Sequence, residues 1–140
     1  MGAQLGHQFR GIITALATPF LHGQVDYESL GRLVEWQTSQ GVDGFVVHGT
    51  TGESPTVEGE ERFKIYNFIR SRVGRDFPLI VGTGTNSTAH TIQLSKEAES
   101  WGADGILVVV PYYNKPPQAG LLEHFKSVAS SVSIPASCSW

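Results

Sequence analysis

The chain has 140 residues, 40% of them hydrophobic and 16% charged, with 13 acidic against 10 basic side chains for a formal net charge of -3. That is one domain's worth of chain with material for a core, and its scattered Lys and Arg form no basic stripe, which excludes nucleic acid and anionic membrane as expected partners. No apolar run reaches membrane-span length, the start Met1-Gly2-Ala3-Gln4-Leu5-Gly6 carries no signal pattern, and a single cysteine, Cys138, rules out an internal disulfide or a cysteine metal cluster, so the expected location is the cytoplasm.

After a polar lead, residues 11–18 form a continuous apolar and β-branched run closed by Pro19, the pattern of a strand buried on both faces. A loop through His22-Gly23 leads to Asp26, a residue type that caps helices. Tyr27, Leu30, Leu33, Val34 and Gln37 then fall at near-helical spacing until Gly41. A second strand, Gly44-Phe45-Val46-Val47-His48, runs into Gly49-Thr50-Thr51-Gly52-Glu53-Ser54. The next helix is expected from near Thr56, with Glu58, Glu60 and Glu61 in its first turn and Gly74 as its stop. Pro78-Leu79-Ile80-Val81-Gly82 is a third strand, ending in a second Gly/Thr loop, Gly82-Thr83-Gly84-Thr85-Asn86. A third helix is expected from about Ser87 to Trp101, a fourth strand over 105–110 closed by Pro111, and the loop Tyr112-Tyr113-Asn114-Lys115-Pro116-Pro117. The fourth helix carries Leu121, Leu122, Phe125, Val128, Ala129 and Val132.

Strict βα alternation means a parallel sheet covered by helices. The segment Gly41-Val42-Asp43-Gly44-Phe45-Val46-Val47 returns as Gly102-Ala103-Asp104-Gly105-Ile106-Leu107-Val108, two units later. Equivalent joints two units apart favour a barrel over a doubly wound sheet. The expected fold class is therefore α/β, with parallel (βα) units forming the first half of a (βα)8 TIM barrel. Asp43 and Asp104 then lie at the N-terminal ends of their strands and read as structural, while the loops after all four strands share the opposite, catalytic end. There the glycines of Gly49–Ser54 allow close backbone approach, and two adjacent hydroxyls can hold a small anion such as a carboxylate; the alternative is a plain turn with a helix cap.

The domain is expected over 9–135. The tail 136–140, Ala136-Ser137-Cys138-Ser139-Trp140, reads as too polar and too short for a strand buried on both faces, as a frameshift or misread junction in a longer gene leaves it. A half-barrel of this kind exposes two long strand edges.

Gly49-Thr50-Thr51-Gly52-Glu53-Ser54, Gly82-Thr83-Gly84-Thr85-Asn86 and Pro111-Tyr112-Tyr113-Asn114-Lys115-Pro116, with Gln118-Ala119-Gly120-Leu121 and His124-Phe125 behind, closely resemble the dihydrodipicolinate synthase family of pyruvate-dependent class I aldolases, to which N-acetylneuraminate lyase also belongs. Three loops match in order at three successive strand ends, and the resemblance covers nearly all of 9–135. It implies a lyase of lysine and diaminopimelate biosynthesis that binds pyruvate as a lysine Schiff base and condenses it with aspartate semialdehyde. No cofactor and no metal is called for, and the assembly is a homo-oligomer, a tetramer built as a dimer of tight dimers. By resemblance, Thr51 holds the pyruvate carboxylate, and Thr50 and Tyr113 belong to a proton relay in which the tyrosine reaches into a neighbouring subunit. Glu53 orders the loop through backbone amides.

The resemblance also marks departures. The family's Schiff-base lysine lies on strand 6 and a second tyrosine on strand 5, both beyond this chain, and none of Lys64, Lys96, Lys115 and Lys126 matches the nucleophile. The isolated chain is expected to be inactive. Ser54, Asn86 and Tyr112 match the family's lysine-inhibition groove, whereas Gly59, Arg62 and His90 replace its usual polar ligands, so no lysine binding is expected. Competing readings are a non-catalytic half-barrel that self-associates or pairs with a second half, another pyruvate-dependent aldolase of the same family, and a phosphate-binding α/β domain. The last fails because the loop at 82–87 lacks the third glycine and no Walker lysine exists. His48, beside the first loop, reads as packed or solvated.

Overall fold

The computed structural model describes residues 9–139. The polar lead up to residue 8 and Trp140 of the expected tail lie outside the described residues. The chain divides into two units of internal contacts, one ending at Leu79 and the other beginning at Ile80.

In the first unit, β1 (Ile13–Ala15) is followed by β2 (Phe20–Leu21) and β3 (Gln24–Val25), then α1 (Tyr27–Ser39), β4 (Gly44–Val47) and α2 (Gly59–Val73). β1 and β4 are parallel, with Ile13 opposite Gly44 and Ala15 opposite Val46. Helix α1 starts where the side chain of Asp26 accepts the amide of Ser29 at 3.0 Å. Its buried face presents Leu30 and Val34, α2 presents Ile65, Tyr66 and Ile69, and β4 presents Phe45 and Val47. Each such side chain contributes roughly 1.5–3 kcal/mol by leaving water.

β5 (Leu79–Gly82), which lies in the second unit from Ile80 onward, is parallel to β6 (Gly105–Val109), and β6 is parallel to β7 (Ala136–Ser139). Helix α3 (Thr88–Ser100), capped by Ser87, and α4 (Gln118–Ala129) supply the connections. Leu121 and Val128 of α4, Ala98 of α3 and Ile106 and Val108 of β6 are buried.

The repeated segment marks the same joint twice. Gly41 and Gly102 both adopt φ +84, the left-handed conformation that ends a helix without a Cβ penalty. Asp43 is structural: its carboxylate accepts the amide of Ile12 at 2.7 Å, and its own amide donates to the Ile12 carbonyl at 2.7 Å.

Four expectations are corrected. The strand over 11–18 contracts to Ile13–Ala15, because Gly11 turns at φ +80 and the last pairing bond, from the Leu16 amide to the Val46 carbonyl at 2.9 Å, ends the ladder before Pro19. The loop through His22-Gly23 is the tip of an antiparallel hairpin, with Phe20 opposite Val25. α2 begins at Gly59 rather than near Thr56, because Ser54–Thr56 is spent in a separate 3-10 turn. Residues 136–139, which looked too polar for a strand, form β7: Ile106 and Val110 donate backbone hydrogen bonds to Pro135 and Ser139. Its side chains are largely exposed, so the polar composition is met by exposure, and main-chain pairing, indifferent to side chains, makes the strand.

Candidate active site

The loop after β4 is built as two successive 3-10 turns, Thr50–Gly52 and Ser54–Thr56, hinged at Glu53, which sits at φ 53, ψ 42. The first turn closes with the Gly52 amide on Gly49 at 3.1 Å and the Glu53 amide on Thr50 at 3.0 Å. Thr18, at the end of the first apolar run, clamps it from beneath: its buried hydroxyl donates to the Gly52 carbonyl at 2.8 Å. Gly52 is buried against that clamp, where a Cβ would lie 3.1 Å from the Leu16 carbonyl. Thr50 and Thr51 are both exposed, and among the described residues neither hydroxyl is engaged internally. A rigid backbone thus holds two adjacent free hydroxyls at a strand's C-terminal end.

Glu53 does order the loop, through its backbone. Its carbonyl accepts both the amide and the hydroxyl of Thr56, each at 2.8 Å. The expected contact of its carboxylate with backbone amides is not formed among the described residues.

His48 is a buried packing residue, 2% exposed, at φ 57. Its Nε2 lies 2.9 Å from the Arg62 carbonyl, an acceptor only, so that nitrogen carries the proton and Nδ1 is a bare, buried lone pair. Burial, aided by the Arg62 guanidinium, pushes its pKa from 6.5 down to about 3. A neutral imidazole so enclosed supports the loop and does not carry protons to solvent. Arg62, 5% exposed, donates to the Ser54 hydroxyl at 3.3 Å.

In the second unit, the loop after β5 is a polar hub. Thr83 and Ser95 share a buried hydroxyl pair at 2.9 Å, the Thr85 amide donates to the Thr91 hydroxyl at 2.9 Å, and Thr88 meets His124 Nδ1 at 2.9 Å. Burial lowers the pKa of His124. Gly84 lies hard against β6, since a Cβ there would come within 2.3 Å of the Val109 amide nitrogen. The loop after β6 carries Tyr113, 92% exposed at φ 72, with Tyr112 beside it. Thr50 and Thr51 belong to the first unit and Tyr113 to the second.

All four lysines are exposed: Lys64 on α2, Lys96 on α3, Lys126 on α4, and Lys115 in the loop before α4. Among the described residues no cluster of three His, Cys, Asp or Glu side chains forms a metal site, and no helix is long and apolar enough to cross a membrane.

The family model for the dihydrodipicolinate synthetase family matches residues 8–137. The chain belongs to that family. It is 58% identical over 127 residues to a 4-hydroxy-tetrahydrodipicolinate synthase of Bdellovibrio bacteriovorus, covering 91% of this chain and 43% of that protein. A dihydrodipicolinate synthase structure from Thermotoga maritima superposes with a TM-score of 0.91 at 48% identity, over 94% of this chain and 45% of that one. The chloride-inhibited enzyme of Acinetobacter baumannii, complexed with pyruvate, superposes with a TM-score of 0.88 at 45% identity, over 91% of this chain and 44% of that one. The chain therefore spans less than half the length of these family members, and its fold is the first half of the (βα)8 barrel, with β1, β4, β5 and β6 as the four expected strands and β7 as a fifth.

Sequence reasoning found the loops but missed what holds them. Thr18 hid at the end of an apolar run, and His48 looked like the last residue of a strand. A polar residue just before a proline at a strand end was the available sign for Thr18; nothing local distinguished His48.

Proposed function

We propose that this chain carries the carboxylate-binding and proton-relay half of a pyruvate-dependent aldolase site, with Thr51 binding the pyruvate carboxylate and Thr50 and Tyr113 as relay hydroxyls. The intact protein would condense pyruvate with aspartate semialdehyde through a lysine imine, in lysine and diaminopimelate biosynthesis. The observation that carries the reading is the pair of free, exposed hydroxyls of Thr50 and Thr51 on a turn whose backbone is fixed by Thr18. A carboxylate accepts from such donors, and a positioned hydroxyl passes protons as the imine forms and the new bond closes. The nucleophile itself is another matter. An imine-forming amine is activated by a desolvating pocket or a neighbouring cation, and the four exposed lysines have no such enclosure. The chain alone is then inactive, and the intact protein works as a homo-oligomer in the cytoplasm.

The test is direct. Purified chain is incubated with pyruvate and borohydride and its intact mass measured; no pyruvate-sized adduct is expected. Coexpressed with the remaining segment of the Bdellovibrio relative, it is expected to gain condensing activity, which Thr51→Val lowers about a hundredfold or more, since one positioned proton-transfer or oxyanion contact is worth that much. A stoichiometric adduct on the isolated chain would overturn the assignment of the nucleophile. Unchanged activity of Thr51→Val in the reconstituted pair would overturn the role of Thr51.

A second reading, a non-catalytic half-barrel that pairs with itself or with another half, is favoured by β7, whose side chains are exposed and which pairs only with β6 among the described strands. Coexpression separates the two, since this reading predicts association without activity.

Lysine inhibition is not expected. Arg62 places a guanidinium on the Ser54 hydroxyl, so an incoming lysine ammonium would meet a like charge in place of a free acceptor. Calorimetric titration of the reconstituted pair with millimolar lysine should show no binding heat; a saturating isotherm would refute this.

A further inference from the structure

We propose that Asn114 is a positioning residue for Tyr113, locking the turn that holds the tyrosine clear of its own chain. The proposal rests on the relay reading of Tyr113. At Tyr113 φ is +72, and the Asn114 amide donates to the Tyr112 carbonyl at 2.9 Å. The turn thus closes over three residues with a left-handed apex, a rare and strained γ-turn. A bulky aromatic residue persists there only where its surroundings over-determine it.

Asn114 supplies that constraint from its side chain as well as its backbone. Its Nδ2 donates to the Asn86 carbonyl at 3.3 Å. Asn86 in turn sits on a loop that cannot drift: Thr85 donates from its amide to the Thr91 hydroxyl and from its own hydroxyl to the Ser87 carbonyl at 3.0 Å, and Thr91 is fully buried on α3. Pro111 before the turn and Pro116-Pro117 after it restrict both approaches. Lys115, at φ +42, is a second left-handed residue just past Asn114. Among the described residues, the hydrogen bond that ties the apex to the rigid hub is the one from the Asn114 side-chain amide. Without it the γ-turn relaxes along its own strain, and the Tyr113 hydroxyl spreads over positions where a relay needs it within about 3 Å of the proton it moves.

Chymotrypsin reads this directly on the full chain, because Tyr113 is its own cleavage site. Locked in a left-handed turn, the Tyr113–Asn114 bond should resist extended binding in the protease cleft. Asn114→Ala, and the near-isosteric Asn114→Asp, which lacks the donor, are expected to raise the cleavage rate at this bond roughly three- to tenfold, the change in open population that one lost hydrogen bond produces. The thermal midpoint and the cleavage rates at other aromatic residues should stay at wild-type values, which a merely structural role would not leave unmoved. Equal cleavage in wild type and Asn114→Ala would overturn the proposal, as would a rise shared by all sites. Tyr113→Phe keeps a chymotrypsin site and should be cleaved at the wild-type rate. Loss of the relay reading, through full activity of Tyr113→Phe in the reconstituted pair, therefore leaves the clamp result standing, and failure of the clamp leaves the relay standing.

Discussion

Gly84→Ala is expected to lose about 3 kcal/mol or more of stability, because the new methyl must enter space held by backbone. An ideal Cβ at Gly84 lies 2.3 Å from the Val109 nitrogen, 2.9 Å from Val109 Cγ1 and 3.1 Å from the Val108 carbonyl carbon. No rotamer change relieves a clash with a peptide bond, so either the loop after β5 lifts or β6 shifts out of register with it. Either movement also breaks the neighbouring hydroxyl contacts of Thr83 and Thr85. The control is Gly23→Ala, at φ +78 with nothing within 4 Å of its Cβ position. Only backbone strain acts there, so about 1 kcal/mol is expected. Urea unfolding followed by circular dichroism compares the two. Gly84→Ala within 1 kcal/mol of the control, on the same scale of effect, would mean that β6 yields more easily than its packing implies.

Acid is expected to unfold the protein through His48. The histidine titrates near its ordinary 6.5 when unfolded and at about 3 when buried. The unfolded chain therefore binds more protons throughout that window, and stability rises with pH across it. Above pH 6.5 the group contributes no pH dependence; as pH falls toward 3 the penalty grows by about 1.4 kcal/mol per unit, reaching about 2 kcal/mol at pH 5. His124, whose pKa burial also lowers, adds to the same slope. The check is His48→Asn, since asparagine tolerates the left-handed backbone that this position requires. Its stability curve from pH 7.5 to 5 should be flatter than the wild type's by that amount. Parallel curves would show that His48 is not the acid-sensitive group. Because His48 immediately precedes Gly49 and Thr50, the candidate site is the part of the chain that acid reaches through this group.

How much of this was legible beforehand depends on the range of the interaction. Helix limits at Asp26, Ser87 and Gly74, and the paired joints at Gly41 and Gly102, follow from local chemistry: a side-chain oxygen reaching an amide three residues on, or a residue without Cβ at a left-handed turn. The βα alternation, the parallel sheet and the two loops bearing Thr50, Thr51 and Tyr113 were readable for the same reason. The sequence by itself therefore determined the order of the four βα units and the identity of the candidate residues.

What the tertiary structure alone decided is how those residues are held. The Thr18 hydroxyl on the Gly52 carbonyl spans 34 residues, the Thr88 contact with His124 spans 36 and the Asn114 amide on Asn86 spans 28. No window of sequence contains both partners, so no local pattern announces them. The same holds for β7, whose polar residues carry no strand signal and which exists because β6 offers an open row of backbone donors and acceptors. Local propensity chose the pieces, and long-range hydrogen bonding chose the conformations in which Thr50, Thr51 and Tyr113 are presented.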